Sequence, residues 1–330
     1  MAAVLGARDL FKLVRKGIDV NAVRAHVRKP FRFLLCGDPS LVAEFRALLL
    51  AGHPDGIVPF EAAACIETIS SSRPLITDAR DVRAVIFLGR SGDGNGPDLA
   101  SLEVLRVPIF SLTLDALAQS SGPPSAPARG AIAQYVTPAI SKEALRGRLF
   151  PHLIEASKGV EIAVGRALPI LRETVAAKLT RDAANNSLKV ALASAVVDHI
   201  PIFGIVLGAF ASAGDTVAIT AIQMMLLLHI EAAYGRDPDV ARMWQLLPVI
   251  GGGLGWRTLA RELAGFVPVA GIAIKGAIAY AGTIVVGEGV MFFLEHGDHM
   301  SKSEAAAMYE RTKNDALQFA RDFISKLKKS

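Results

Sequence analysis

The stretch whose residue types and spacing come closest to chemistry is Gly37-Asp38-Pro39-Ser40, directly after the apolar run Phe31-Arg32-Phe33-Leu34-Leu35-Cys36. A strand that ends in glycine and opens into a helix is how a phosphate-binding loop begins, because the first backbone N–H groups of a helix point at an anion. A loop that handles a nucleoside triphosphate also needs Gly-Lys-Ser/Thr shortly after its first glycine, the lysine for phosphate charge and the hydroxyl for Mg²⁺. Here those places hold Val42, Ala43 and Glu44. A carboxylate at that point repels phosphate. The sequence therefore predicts a loop without triphosphate chemistry, and Gly37, Asp38 and Ser40 remain a weak anion site that requires only backbone geometry.

Other candidates carry plainer readings beside the chemical ones. Glu295, His296, Asp298 and His299 crowd oxygen and nitrogen donors into "EHGDHM", as a divalent-ion site does. The plainer reading is a polar linker, with Gly297 as C-cap and Asp298 or Ser301 opening the next helix. Lys189, Asp198, Asp215, Gln223, Lys275 and Glu288 fall within or beside apolar segments, where a charge at a bilayer centre is costly. They read as polar contacts between helices, with a transport path as the alternative. His199, beside Asp198, reads as a helix-end hydrogen bond rather than a proton relay. Cys36 and Cys65 lack metal-ligand spacing and read as small buried residues in a reducing compartment. No Ser-His-Asp or Cys-His arrangement follows from spacing, and no cofactor is expected.

Two kinds of element must position these residues. Residues 31–157 alternate short apolar runs with helical stretches: strands over 31–36, 60–69, 83–89, 107–113 and 131–136, and helices over 40–51, 97–106, 114–119 and 141–157. Apolar strands separated by helices imply a doubly wound parallel sheet covered on both faces. Ligands of such sheets bind beyond the carboxyl ends of the strands. From 158 onward the pattern is all helix. Residues 159–186 are amphipathic and basic, 186–294 are nearly continuous apolar sequence, and 301–328 form a charged amphipathic helix.

The totals agree with two parts in different surroundings. The 330 residues are 52% apolar and 20% charged, with mean hydropathy +0.39 and net charge +5. Residues 1–32 carry eight Lys/Arg against Asp9 and Asp19, so this arm supplies +6 and the rest is near neutral. A basic arm suits nucleic acid or an anionic membrane surface; the apolar second half favours the membrane, and no nucleic-acid partner is expected. Residues 8–28 read as a helix, packed on the protein or lying at an interface with its Lys and Arg snorkelling. The first thirty residues lack a continuous apolar stretch, so no secretory leader is expected and the α/β half is read as cytoplasmic.

The apolar block repeats. Residues 187–224 slide onto 254–291, matching Pro201 with Pro268, Gly204 with Gly271, Thr216 with Thr283 and Met224 with Met291. Each unit reads as a helix, a Pro-x-x-Gly break and a long apolar helix. The charge-free runs 199–214, 216–230, 243–256 and 276–287 each fall short of the ~20 residues that span a bilayer, although 199–230 exceeds that length across Asp215 alone. Small residues at four-residue spacing, among them Gly204/Gly208 and Ala273/Ala277/Ala281, allow close helix approach of the kind seen in lipid.

The segment 200–235 resembles the helical module of the domain-of-unknown-function 697 family, YcjF-type. The resemblance rests on Ile200-Pro201-Ile202, Ile222-Gln223 and Tyr234-Gly235 and extends over about 170–320. It implies membrane association, and it implies a small GTPase-like domain ahead of the module. Against a small GTPase, "VPIFSLTLD" (107–115) resembles the strand ending in Asn-Lys-x-Asp, but only Asp115 matches. No Asp-x-x-Gly follows 60–69, and Thr137-Pro138 stand where Ser-Ala is usual. A response-regulator receiver is also similar, with Thr113 at the switch hydroxyl, Gly89 in place of the phospho-acceptor and Thr137 in place of the lysine.

These readings define a basic arm (1–30), a degenerate GTPase-like α/β domain (31–157) and a helical membrane-associated module with two repeated hairpins (158–330). The function expected is a non-enzymatic scaffold or adaptor at the cytoplasmic membrane, with membrane lipid and a protein as partners and homo-oligomers as an option. The alternatives are a nucleotide- or anion-responsive switch without hydrolysis, and a polytopic channel or transporter.

Overall fold

The computed structural model describes residues 18–69, 79–92, 100–123, 125, 127–128, 130–193, 215–239, 271–298 and 300–327. The chain divides into two compact units, one of residues 25–178 with 232–236, the other of 1–24, 179–231 and 237–330.

The first unit is built on a parallel sheet. Its strands are β1 (Arg32–Gly37), β2 (Ile66–Thr68), β3 (Val82–Arg90), β4 (Ile109–Leu114) and β5 (Ile132–Thr137), in the order β2-β1-β3-β4-β5. Phe33 to Cys36 are buried without interruption, which requires cover on both faces. Leu34 and Cys36 join Val85, Leu102 and Ile109 in one cluster, and Phe33 and Leu35 point to the opposite face. At the edge, β5 alternates instead: Ile132 and Gln134 are exposed while Ala133, Tyr135 and Thr137 are buried. Part of that edge is closed by Ser121, which exchanges backbone hydrogen bonds of 2.8 and 3.0 Å with Val136.

The helices of this unit follow local chemistry. After α1 (Val20–Val27), which Asp19 caps, α2 (Pro39–Leu49) starts at Pro39, whose fixed φ suits a first helical position, and buries Leu41, Val42, Phe45 and Leu49. The strand expected over 60–69 is instead the short helix α3 (Phe60–Ala64) followed by β2. Pro59 sets the helical entry, the Ala62-Ala63-Ala64 run favours helix, and only Ile66–Thr68 pairs with β1. Of the helix expected over 97–106, residues 97–99 lie outside the described residues and the rest holds the short α4 (Ala100–Glu103) followed by a turn. The one expected over 114–119 is a turn, because Asp115 accepts from the Leu117 N–H and fixes the chain there. The helix expected over 141–157 is two, α5 (Lys142–Arg146), capped by Ser141, and α6 (Leu149–Ala156), separated at Gly147-Arg148. Pro169 likewise separates α7 (Glu161–Ala167) from α8 (Arg172–Ala193).

The second unit takes residues 179–193 of α8 with α9 (Asp215–Ala233), α10 (Gly271–His296) and α11 (Lys302–Leu327). Contacts fix their directions. Ser187 and Gln223 meet Thr283, and one turn back along α10 Ala191 and Ile219 meet Ala279. Hence α8 runs antiparallel to α10 and α9 runs parallel to it. Ala281 and Val285 share one cluster with Ala305 and Tyr309 across the short turn after His296, so α11 runs back antiparallel to α10. The turn between them passes through Gly297, and Ser301 and Glu304 form a capping box that starts α11. The two long helices equated by the sequence repeat, α9 and α10, lie parallel; residues 194–214 and 254–270 of the repeat lie outside the described residues.

Close approach is set by small residues. A Cβ at Gly287 would sit 2.2 Å from Thr180 Oγ1, and one at Gly276 would sit 2.7 Å from Leu188 Cδ1. These two glycines stand three turns apart on the same face of α10, so α8 lies against its backbone.

Candidate functional site

The order β2-β1-β3 places a topological switch point between β1 and β3, where sheets of this kind bind ligands beyond the strand ends. Gly37 closes β1 there with φ +116°, and a Cβ on it would lie 2.0 Å from the Leu88 carbonyl oxygen. Only glycine fits, because β1 and β3 converge and the Asp38 N–H must reach Leu88 O at 2.8 Å.

Asp38 then turns its carboxylate over the start of α2. Oδ1 accepts from the N–H groups of Ser40 (2.9 Å) and Leu41 (3.0 Å) and from the Ser40 hydroxyl. From the end of β3, Arg90 donates to Ser40 Oγ at 3.0 Å and stands 3.8 Å from Asp38 Oδ2. The Ser40 hydroxyl first, with help from the Leu41 and Ser40 N–H groups and Arg90, holds the Asp38 carboxyl below its ordinary range. The helix pole expected to meet an external anion thus carries the protein's own carboxylate. Gly37, Asp38 and Ser40 do come together as the sequence suggested, but as a self-contained cap. Arg90 was not singled out from the sequence. Its position directly after an apolar run was the available signal.

Asp115 lies at the same edge, two strands from β1. Its N–H donates to Thr137 O (2.9 Å) and its Oδ1 accepts from Leu117 N–H (3.0 Å), so it organises the turn after β4. Nearby, the Thr137 hydroxyl donates to Ala139 O at 2.7 Å. Beneath, Tyr135 is buried and its hydroxyl hydrogen-bonds with His152 Nδ1; burial, and then Glu155, push the phenol pKa up, so it stays protonated. At the opposite, amino end of the sheet Arg32 joins Asp81 (2.7 Å) and Glu67 (2.6 Å), tying β1 to the starts of β2 and β3.

In the helical unit the polar residues fare unequally. Gln223 is 1% exposed and donates to Thr283 Oγ1 at 3.2 Å; that hydroxyl lies 2.8 Å from Ala279 O and 2.9 Å from Ser187 Oγ. Among the described residues the Gln223 side-chain oxygen and Thr180 Oγ1 have no hydrogen-bond partner. Sequence reasoning found Gln223 but missed the polar contacts of Thr283 and of Thr180 and Ser187, which stand two helical turns apart on α8. Lys189, expected among the apolar helices, is exposed on the polar side of α8. Lys275 and Glu288 are half-buried on α10, and Asp215 opens α9. Asp198 and His199 lie outside the described residues.

His296 ends α10 stacked on Phe292 with centroids 4.4 Å apart, and its Nδ1 lies 3.0 Å from the Phe292 carbonyl. Asp298 is exposed, and His299 lies outside the described residues. Among the described residues no three His, Cys, Asp or Glu side chains gather as a metal site does.

Comparison of the chain with protein-family models, curated proteins and solved structures finds no match. Functional inference therefore rests on geometry.

Proposed function

We propose that this chain is a non-enzymatic, membrane-associated adaptor whose α/β unit, stripped of nucleotide chemistry, is presented to a protein partner. One observation carries the reading: the amides that would hold a phosphate at the β1/β3 crevice are occupied by Asp38, with Arg90 closing over it. A carboxylate held in its ionised form at that pole repels the anion the fold class would otherwise bind. Of the two α/β resemblances, the all-parallel order β2-β1-β3-β4-β5 supports the flavodoxin- or receiver-like one. Gly89 and Thr137 stand at its reactive positions, so the non-enzymatic reading is the same.

Membrane association draws on α10. Ile274–His296 is the one helix among the described residues long and apolar enough to cross a bilayer. Yet α11 lies along it, with Glu310, Arg311 and Asp315 exposed on its outer side. Taking such charges to a bilayer centre costs ~2.5–3.5 kcal/mol each. The adaptor reading therefore holds the α10–α11 hairpin at the membrane surface, and a spanning α10 requires α11 to leave it.

Two measurements test this on the full chain. Titration with fluorescent guanine and adenine nucleotides is expected to show no saturable binding; micromolar binding would sink the adaptor reading. In membrane fractionation, release by high salt or carbonate is expected, whereas carbonate-resistant protein would establish insertion and detachment of α11. Protein that stays in the supernatant throughout would remove the membrane from the proposal.

A further inference from the structure

We draw no further inference here: the strongest candidate, the exposed apolar run from Ile57 to Phe60 between α2 and the start of α3, carries none because nothing in the structure shows what covers it.

Discussion

In the α/β unit, an ionic cluster sits at each end of the strands: Arg32 with Asp81 and Glu67 at one, Arg90 with Asp38 and Ser40 at the other. In the helical unit the uncharged polar groups of Thr180, Ser187, Gln223 and Thr283 lie between the helices themselves. A parallel sheet satisfies its backbone between neighbouring strands and leaves side-chain chemistry for its ends. A helix satisfies its backbone internally, so its faces are free to carry polar contacts to other helices. An apolar stretch therefore means different things in the two units. In β1 it marks cover on both faces of a sheet; in α10 it marks a helix surrounded by α8, α9 and α11.

The largest effect that would break this contrast is expected at Gly37. Gly37→Ala forces a Cβ onto the Leu88 carbonyl and demands φ +116° of an L side chain. Destabilisation on the order of 3–5 kcal/mol is expected in denaturant titrations. Gly287→Val comes next. Its clash is with the Thr180 side chain rather than with backbone, so about 2–3 kcal/mol is expected, partly recovered by adding Thr180→Ala. A Cβ at Gly289, two residues away, meets nothing within 4 Å. Gly289→Ala should instead raise stability by about 0.5–1 kcal/mol. Equal effects at the two glycines would refute the packing of α8 on α10.

The buried polar layer gives a smaller, signed test. Thr283→Val strands the Gln223 amide and should cost about 1–3 kcal/mol. Gln223→Leu removes a side-chain oxygen without a partner among the described residues, while Thr283 keeps Ala279, so it should be neutral or stabilising. If Gln223→Leu proves the more harmful, the layer has a role beyond packing.

The smallest effect belongs to Asp38 and depends on pH. Its folded pKa is depressed, so its contribution is present above the ordinary carboxylate range and is lost as pH falls through the folded value. Asp38→Ala should lower the thermal midpoint by a few degrees at neutral pH, and the difference from wild type should vanish in acid. A difference that persists in acid would show that the carboxylate charge is not what holds the start of α2.

Four of the five strands were legible because β1, β3, β4 and β5 are short apolar runs bounded by turn residues, as at Phe33–Cys36 and Ile109–Leu112. The fifth misled because Phe60 to Ala64 is apolar enough for a strand, although Pro59 and three alanines make it a helix. Gly37, Asp38 and Ser40 could be named from spacing alone. That Asp38 occupies the helix pole itself depends on backbone direction after Gly37, which no spacing encodes.

Composition and periodicity, being local, determined the division into alternating and all-helical regions, the apolar helices and the missing triphosphate loop. Tertiary structure decided what no local pattern carries. It set the strand order that creates the β1/β3 crevice and the reach of Arg90 across it. It also set the neighbours that bury α10, and the meeting of Arg172 with Tyr234 from separate segments of the chain. Those outcomes depend on which surfaces face each other after folding, and chain connectivity fixes only the distances they must close.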